Sequence, residues 1–132
     1  MNRVVWLGGA LILLLLALLP TRPVLAPSQL VAAPDAYRGA AVIVTGVAAP
    51  WRIVCTTTAC TRANVCCNEC SGLLALEDGN ASLPISGTTC TGTNCNVTCM
   101  PLAPQHRYAV TGTVIEQYGE HMLALERFEE LP

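Results

Sequence analysis

From about residue 40 onward, short β-branched runs alternate with stretches that have no hydrophobic period. Ala40 to Ala48 (Ala-Ala-Val-Ile-Val-Thr-Gly-Val-Ala) predicts a first strand, with a bulge or sharp bend at Gly46. Pro50 and Trp51 are expected to interrupt pairing before Arg52-Ile53-Val54 leads on to Cys55. Thr56 to Ser71 has no period and is expected to be a loop. Leu73 to Glu77 predicts a second strand, Asp78-Gly79 a hairpin turn, and Ala81 to Ile85 a third strand with Pro84 at an edge or bulge. Gly87 to Pro104 is again irregular. Tyr108 to Gln117 predicts a fourth strand with Tyr108, Val110, Gly112 and Val114 on one face and Thr111 and Thr113 on the other. A turn at Tyr118-Gly119-Glu120-His121 leads into a fifth strand, Met122 to Phe128, and Glu129 to Pro132 reads as an acidic tail. The similar tetrapeptides Val44-Thr45-Gly46-Val47 and Val110-Thr111-Gly112-Thr113 have no third copy. They predict two strands bent at glycine so that a small sheet can close, rather than a repeat array.

The N-terminus differs in kind. Met1-Asn2-Arg3 is followed by the apolar run Val4 to Leu19, Pro20, and a small-residue site at Val24-Leu25-Ala26, which is the layout of a secretory signal over residues 1–26. Pro27 sits where it hinders signal peptidase, and the run is slightly short of the roughly 20 residues that span a bilayer. Two readings stand: a cleaved signal peptide, or an uncleaved membrane anchor with the domain outside. Without a cysteine near the end of the run, a lipid-anchored lipoprotein is excluded. Pro27 to Pro34 reads as a proline-extended linker, giving a linker over 27–36 and a folded domain over 37–132.

Charge narrows the partners. Beyond Ala26 there are five arginines against nine acids, a net charge of −4, and no lysine anywhere. A polyanion binder needs clustered cations to release counterions, so nucleic acid is excluded as a partner and the membrane is met only through the N-terminal segment.

The eight cysteines all lie between Cys55 and Cys99, at Cys55, Cys60, Cys66, Cys67, Cys70, Cys90, Cys95 and Cys99. An even count in a small exported domain predicts disulfides, which compensate for a modest core. Pairing is not legible, except that adjacent Cys66 and Cys67 are expected to have different partners and so tie two segments together. Two other chemistries are open. Cys67-x2-Cys70 with Cys90-x4-Cys95 resembles the two knuckles of a zinc ribbon, and the alternative it opens is a metal-binding protein whose reduced cysteines hold zinc or copper. Cys67-Asn68-Glu69-Cys70 has the C-x-x-C spacing of a thiol–disulfide oxidoreductase, but a strand rather than a helix follows it. Copper or haem ligation could draw on His121-Met122 or Cys99-Met100, but His121 and Met122, adjacent on a strand, point to opposite faces and are poorly placed to share an ion. Met122 is expected in the core, His121 in a solvated turn and His106 in a loop. Asn80-Ala81-Ser82 and Asn96-Val97-Thr98 match glycosylation sequons, which matter only in a eukaryotic secretory route. No acid pair or serine stands in a catalytic motif. Trp51 and Arg52, beside the cysteine loop, are the candidate contact surface, against the plainer reading that Trp51 caps the sheet and Arg52 is solvated.

Five short strands, a glycine-bent first strand and a long break between the third and fourth resemble an OB-fold over roughly Tyr37 to Leu131. The resemblance implies an all-β, five-stranded Greek-key barrel whose first strand is shared by both halves. The family usually plugs one end with a helix between its third and fourth strands. Here the two cysteine-rich loops, disulfide-linked to each other, are expected to take that structural role. Family ligand faces carry aromatics and cations on the second and third strands, whereas Leu73 to Ile85 has neither an aromatic residue nor an arginine. The exported haem chaperones of cytochrome c maturation are similar in topology. They carry haem on a histidine followed three residues later by a tyrosine; Tyr108 follows His106 by only two, so that activity is not implied. The expected role is a non-enzymatic binding or interaction module in the cell envelope, periplasmic, extracellular or membrane-anchored, with a protein or small-molecule partner.

Overall fold

The computed structural model describes residues 21–132; the apolar run Val4–Leu19 lies outside them. The elements in chain order are β1 (Val24–Leu25), α1 (Pro27–Ala32), α2 (Pro34–Tyr37), β2 (Ala41–Cys55), β3 (Glu69–Glu77), β4 (Ser82–Thr93), β5 (Asn96–Met100), β6 (Arg107–Gln117) and β7 (Glu120–Leu131). Five of these close a barrel in the order β2-β3-β4-β7-β6, with β6 returning to β2. Every pairing around the barrel is antiparallel except β4 with β7, which run parallel at Ile85↔Leu123 and Ser86↔Ala124. The all-β five-stranded barrel is therefore as the sequence predicts.

The first strand is longer than its hydrophobic run. β2 continues through Pro50 and Trp51 to Cys55; Ala41–Val47 pairs with β6 and Val47–Cys55 with β3. Serving both halves requires a bend at the changeover, where Gly46 lies. A Cβ on Gly46 would sit 2.9 Å from the Glu77 carbonyl oxygen and 3.2 Å from the Pro27 ring. Gly112 does the same for β6: a Cβ there would come within 2.2 Å of the Ala124 carbonyl oxygen, beside the register shift after Thr111. Both glycines are required by close approach of backbone.

Val42, Val44, Leu74, Leu76, Leu83, Ile85, Val110, Val114 and Leu123 fill the interior. Tyr108, Val110 and Val114 are buried on one face of β6, as predicted; Thr111 is buried as well. The β3–β4 pairing shifts register between Gly72 and Leu74. There the buried Thr88 hydroxyl accepts from the Leu74 N–H at 3.0 Å and donates to the Ile85 carbonyl at 2.7 Å, so both polar groups are satisfied.

Three expectations change. The segment read as an extended linker, 27–36, instead forms α1 and α2 and contributes Leu30, fully buried, to the core. Pro27 suits the first turn of α1, and the Gln29 side chain reaches back to accept the Ala26 N–H at 2.8 Å. Second, Gly87–Pro104 is not irregular: β4 runs on to Thr93 and returns as β5, after which Leu102 turns into the core. Threonine and cysteine fill these strands, so they carry no apolar alternation to read. Third, Glu129 and Glu130 are not a free tail; they pair in β7 with Ala109 and Tyr108. The β3–β4 turn is fastened to α1 through Asp78, which accepts from the Ser28 N–H at 2.9 Å and the Asn80 and Ala81 N–H groups at 3.0 Å. Hydrogen bonding from Ser28 above all, then from the turn, holds the Asp78 carboxyl well below the usual carboxylate range.

Candidate functional site

Beyond the barrel, the ends of β2, β3 and β4 project with β5 as a four-stranded antiparallel extension that carries all eight cysteines in four disulfides. Cys55–Cys70 and Cys90–Cys99 join residues directly opposite one another on neighbouring strands. Cys60–Cys67 closes a turn within the first cysteine loop, and Cys66–Cys95 ties that loop to the β4–β5 turn. Adjacent Cys66 and Cys67 thus have different partners, as predicted, and one bond of the four joins the two cysteine-rich regions. Beside it Asn68 and Asn94 exchange hydrogen bonds: Asn68 N–H donates to Asn94 Oδ1 at 3.1 Å and Asn94 N–H to the Asn68 carbonyl at 3.0 Å.

This pairing bears on the other cysteine chemistries. Cys67 and Cys70 belong to different disulfides, so the C-x-x-C pair is not a single redox unit. The zinc-ribbon set Cys67, Cys70, Cys90 and Cys95 is divided among all four bonds, and in this oxidised state none of its sulfurs is a thiolate. An open groove of about 640 Å³ runs along the extension between Val54, Glu69 and Thr91, with the Cys55–Cys70 bond in its wall.

At the junction of barrel and extension lies the cluster around Trp51. Between Trp51↔Leu73 and Val54↔Ser71 the strand holds two residues against one, a bulge that re-aims the side chains. Within it Arg52 takes a left-handed backbone conformation, φ 47°, uncommon for a residue with a side chain. That turn lays the guanidinium over the Trp51 ring, 4.9 Å from its centroid, and lets Arg52 pair with Glu120.

Glu120 opens β7 directly after the two-residue turn Tyr118-Gly119. Both turn residues have positive φ, 54° and 77°, the backbone that a tight hairpin demands. Tyr118 projects into solvent, 92% exposed. His121 follows, partly buried rather than solvated. Its Nε2 makes no hydrogen bond and lies 3.6 Å from Asp35 Oδ1 of α2. Met122 is buried, as predicted, and His106 pairs with Glu130.

Two hollows flank Trp51. One of about 210 Å³ is lined by Val31, Pro34, Trp51, Pro84, Glu120 and His121. The other, of about 330 Å³, lies between Trp51, Arg52, Leu73, Tyr118, Glu120 and Met122. Trp51, half-buried, and Glu120 stand in the wall between them. The Arg52–Glu120 pair, with Arg52 exposed and Glu120 partly so, is worth about 1 kcal/mol or less. Trp51 and Arg52, singled out in the sequence, stand together beside these hollows. Tyr118, Glu120 and His121 read in the sequence only as a turn, because closure of the barrel alone brings that turn against the β2 bulge.

Neither a protein-family model nor a curated protein matches this chain. The four intramolecular disulfides point to an oxidising, extracytoplasmic compartment.

Proposed function

We propose that this protein is an exported, disulfide-stabilised binding module of the cell envelope, without catalytic activity. It engages a protein or small-molecule partner through the surface of Trp51 and Arg52. The observation that carries this reading is the left-handed backbone of Arg52, which keeps the guanidinium stacked on Trp51 between two hollows. A glycine would adopt that backbone without cost; strain retained by a charged residue on an exposed bulge is of the kind that collects at ligand clamps. An indole face, a guanidinium and an exposed phenol in one patch are the residue types enriched where interfaces anchor.

The OB-like character of the barrel is supported by its strand order and its glycine-bent first strand. The ligand surface proposed here differs from the strand faces that family uses, since it sits where the β2 bulge meets the β6–β7 turn.

The test is capture from envelope extracts by the wild-type protein, by Trp51→Ala and by Arg52→Gly. The captured component is then titrated against intrinsic fluorescence in a Trp6→Phe background, where Trp51 is the remaining tryptophan. Capture lost in both variants and a saturable change in Trp51 emission are expected. Capture indifferent to both substitutions would sink the reading.

A further inference from the structure

The residues just before α1 belong to the barrel. β1 pairs in parallel with β2 at Val24↔Ile43 and Leu25↔Val44, and the Ile43 N–H donates to the Pro23 carbonyl at 2.9 Å. β3 begins its pairing with β2 only at Val47, so β1 covers the part of that edge which β3 does not reach. Leu25 is 8% exposed and joins the core. The Ala26 carbonyl accepts from the Gln29 and Leu30 N–H groups at 3.1 and 3.4 Å, which starts α1. Upstream again, Arg22 pairs with Glu126 of β7 at 3.1 Å.

We propose that the chain is not cut after Ala26, and that the barrel stays joined to the apolar run Val4–Leu19, which tethers it to a lipid bilayer. Two independent facts oppose a cut there. Pro27 occupies the position after the small-residue site, where proline hinders signal peptidase. The cut would also remove β1, bare the β2 edge at Ile43 and Val44, and create a charged terminus on Pro27, whose ring is fully buried. Residues that look like the end of a leader are therefore a working part of the fold.

This inference rests on export of the domain and not on the Trp51 surface, and its readouts involve no partner. The full chain, with a C-terminal affinity tag, is expressed in a bacterial host. It is then fractionated, and its intact mass and N-terminal sequence are determined. A membrane-associated species that retains the apolar run and Thr21–Ala26 is expected. A species starting at Pro27, or one released after loss of the apolar run, overturns the proposal. In the full chain, Leu25→Ala is expected to lower Tm by about 8 °C or more; an unchanged Tm would show β1 to be dispensable and overturn it equally.

Discussion

Cys66–Cys95 is the bond whose removal tells most about how this protein stays folded. It joins residues 29 apart, while Cys60–Cys67 spans 7, Cys90–Cys99 spans 9 and Cys55–Cys70 spans 15. None of the other three shortens the path from Cys66 to Cys95, so the whole loop is released when that bond is lost. The loop-closure relation gives about 3.6 kcal/mol for the 29-residue separation and about 2.4 kcal/mol for the 7-residue one. Cys95 is exposed, so serine there removes little packing. The double variant Cys66→Ser/Cys95→Ser is expected to lose about 3–4 kcal/mol and about 15 °C in Tm, and Cys60→Ser/Cys67→Ser about two-thirds of that loss. Guanidinium unfolding followed by circular dichroism measures both. Complete reduction under metal-free conditions removes all four constraints and is expected to abolish cooperative unfolding. A smaller loss for the Cys66–Cys95 pair than for Cys60–Cys67 would refute the argument from loop length. A cooperative transition after full reduction would refute the larger claim that these bonds hold the domain together.

Three further outcomes are expected. Gly112→Ala should cost about 3 kcal/mol or more, because the added Cβ meets the Ala124 carbonyl oxygen at 2.2 Å; Gly46→Ala, with 2.9 Å to the Glu77 oxygen, should cost less, and urea unfolding ranks the two. Arg52→Gly should leave stability within about 1 kcal/mol of wild type, since relief of the left-handed backbone offsets loss of a partly exposed ion pair; a large loss in thermal unfolding would make Arg52 a structural residue and not a contact. The carboxyl of Asp78 titrates lower folded than unfolded, so its contribution is present above about pH 4 and is lost as pH falls toward the folded value. Stability measured between pH 7 and pH 3 should therefore depend less on pH in Asp78→Asn than in wild type, and equal slopes would count against the Ser28 and turn hydrogen bonds as the cause.

The sequence by itself determined the elements whose chemistry is local. Alternation placed Tyr108, Val110 and Val114 on the buried face of β6, Asp78-Gly79 gave the turn between β3 and β4, and adjacency required Cys66 and Cys67 to take different partners. Two glycines in matching tetrapeptides announced the bends that close the barrel. Tertiary structure alone decided the rest. The threonine- and cysteine-rich ends of β3, β4 and β5 are strands because neighbouring strands and covalent bonds supply the order that apolar periodicity does not. Pro27–Ala32 is a helix because Leu30 finds a core built from residues far along the chain. Glu120 and His121 meet Trp51 only when the barrel closes, since contacts between distant segments leave no mark on the local pattern of either one.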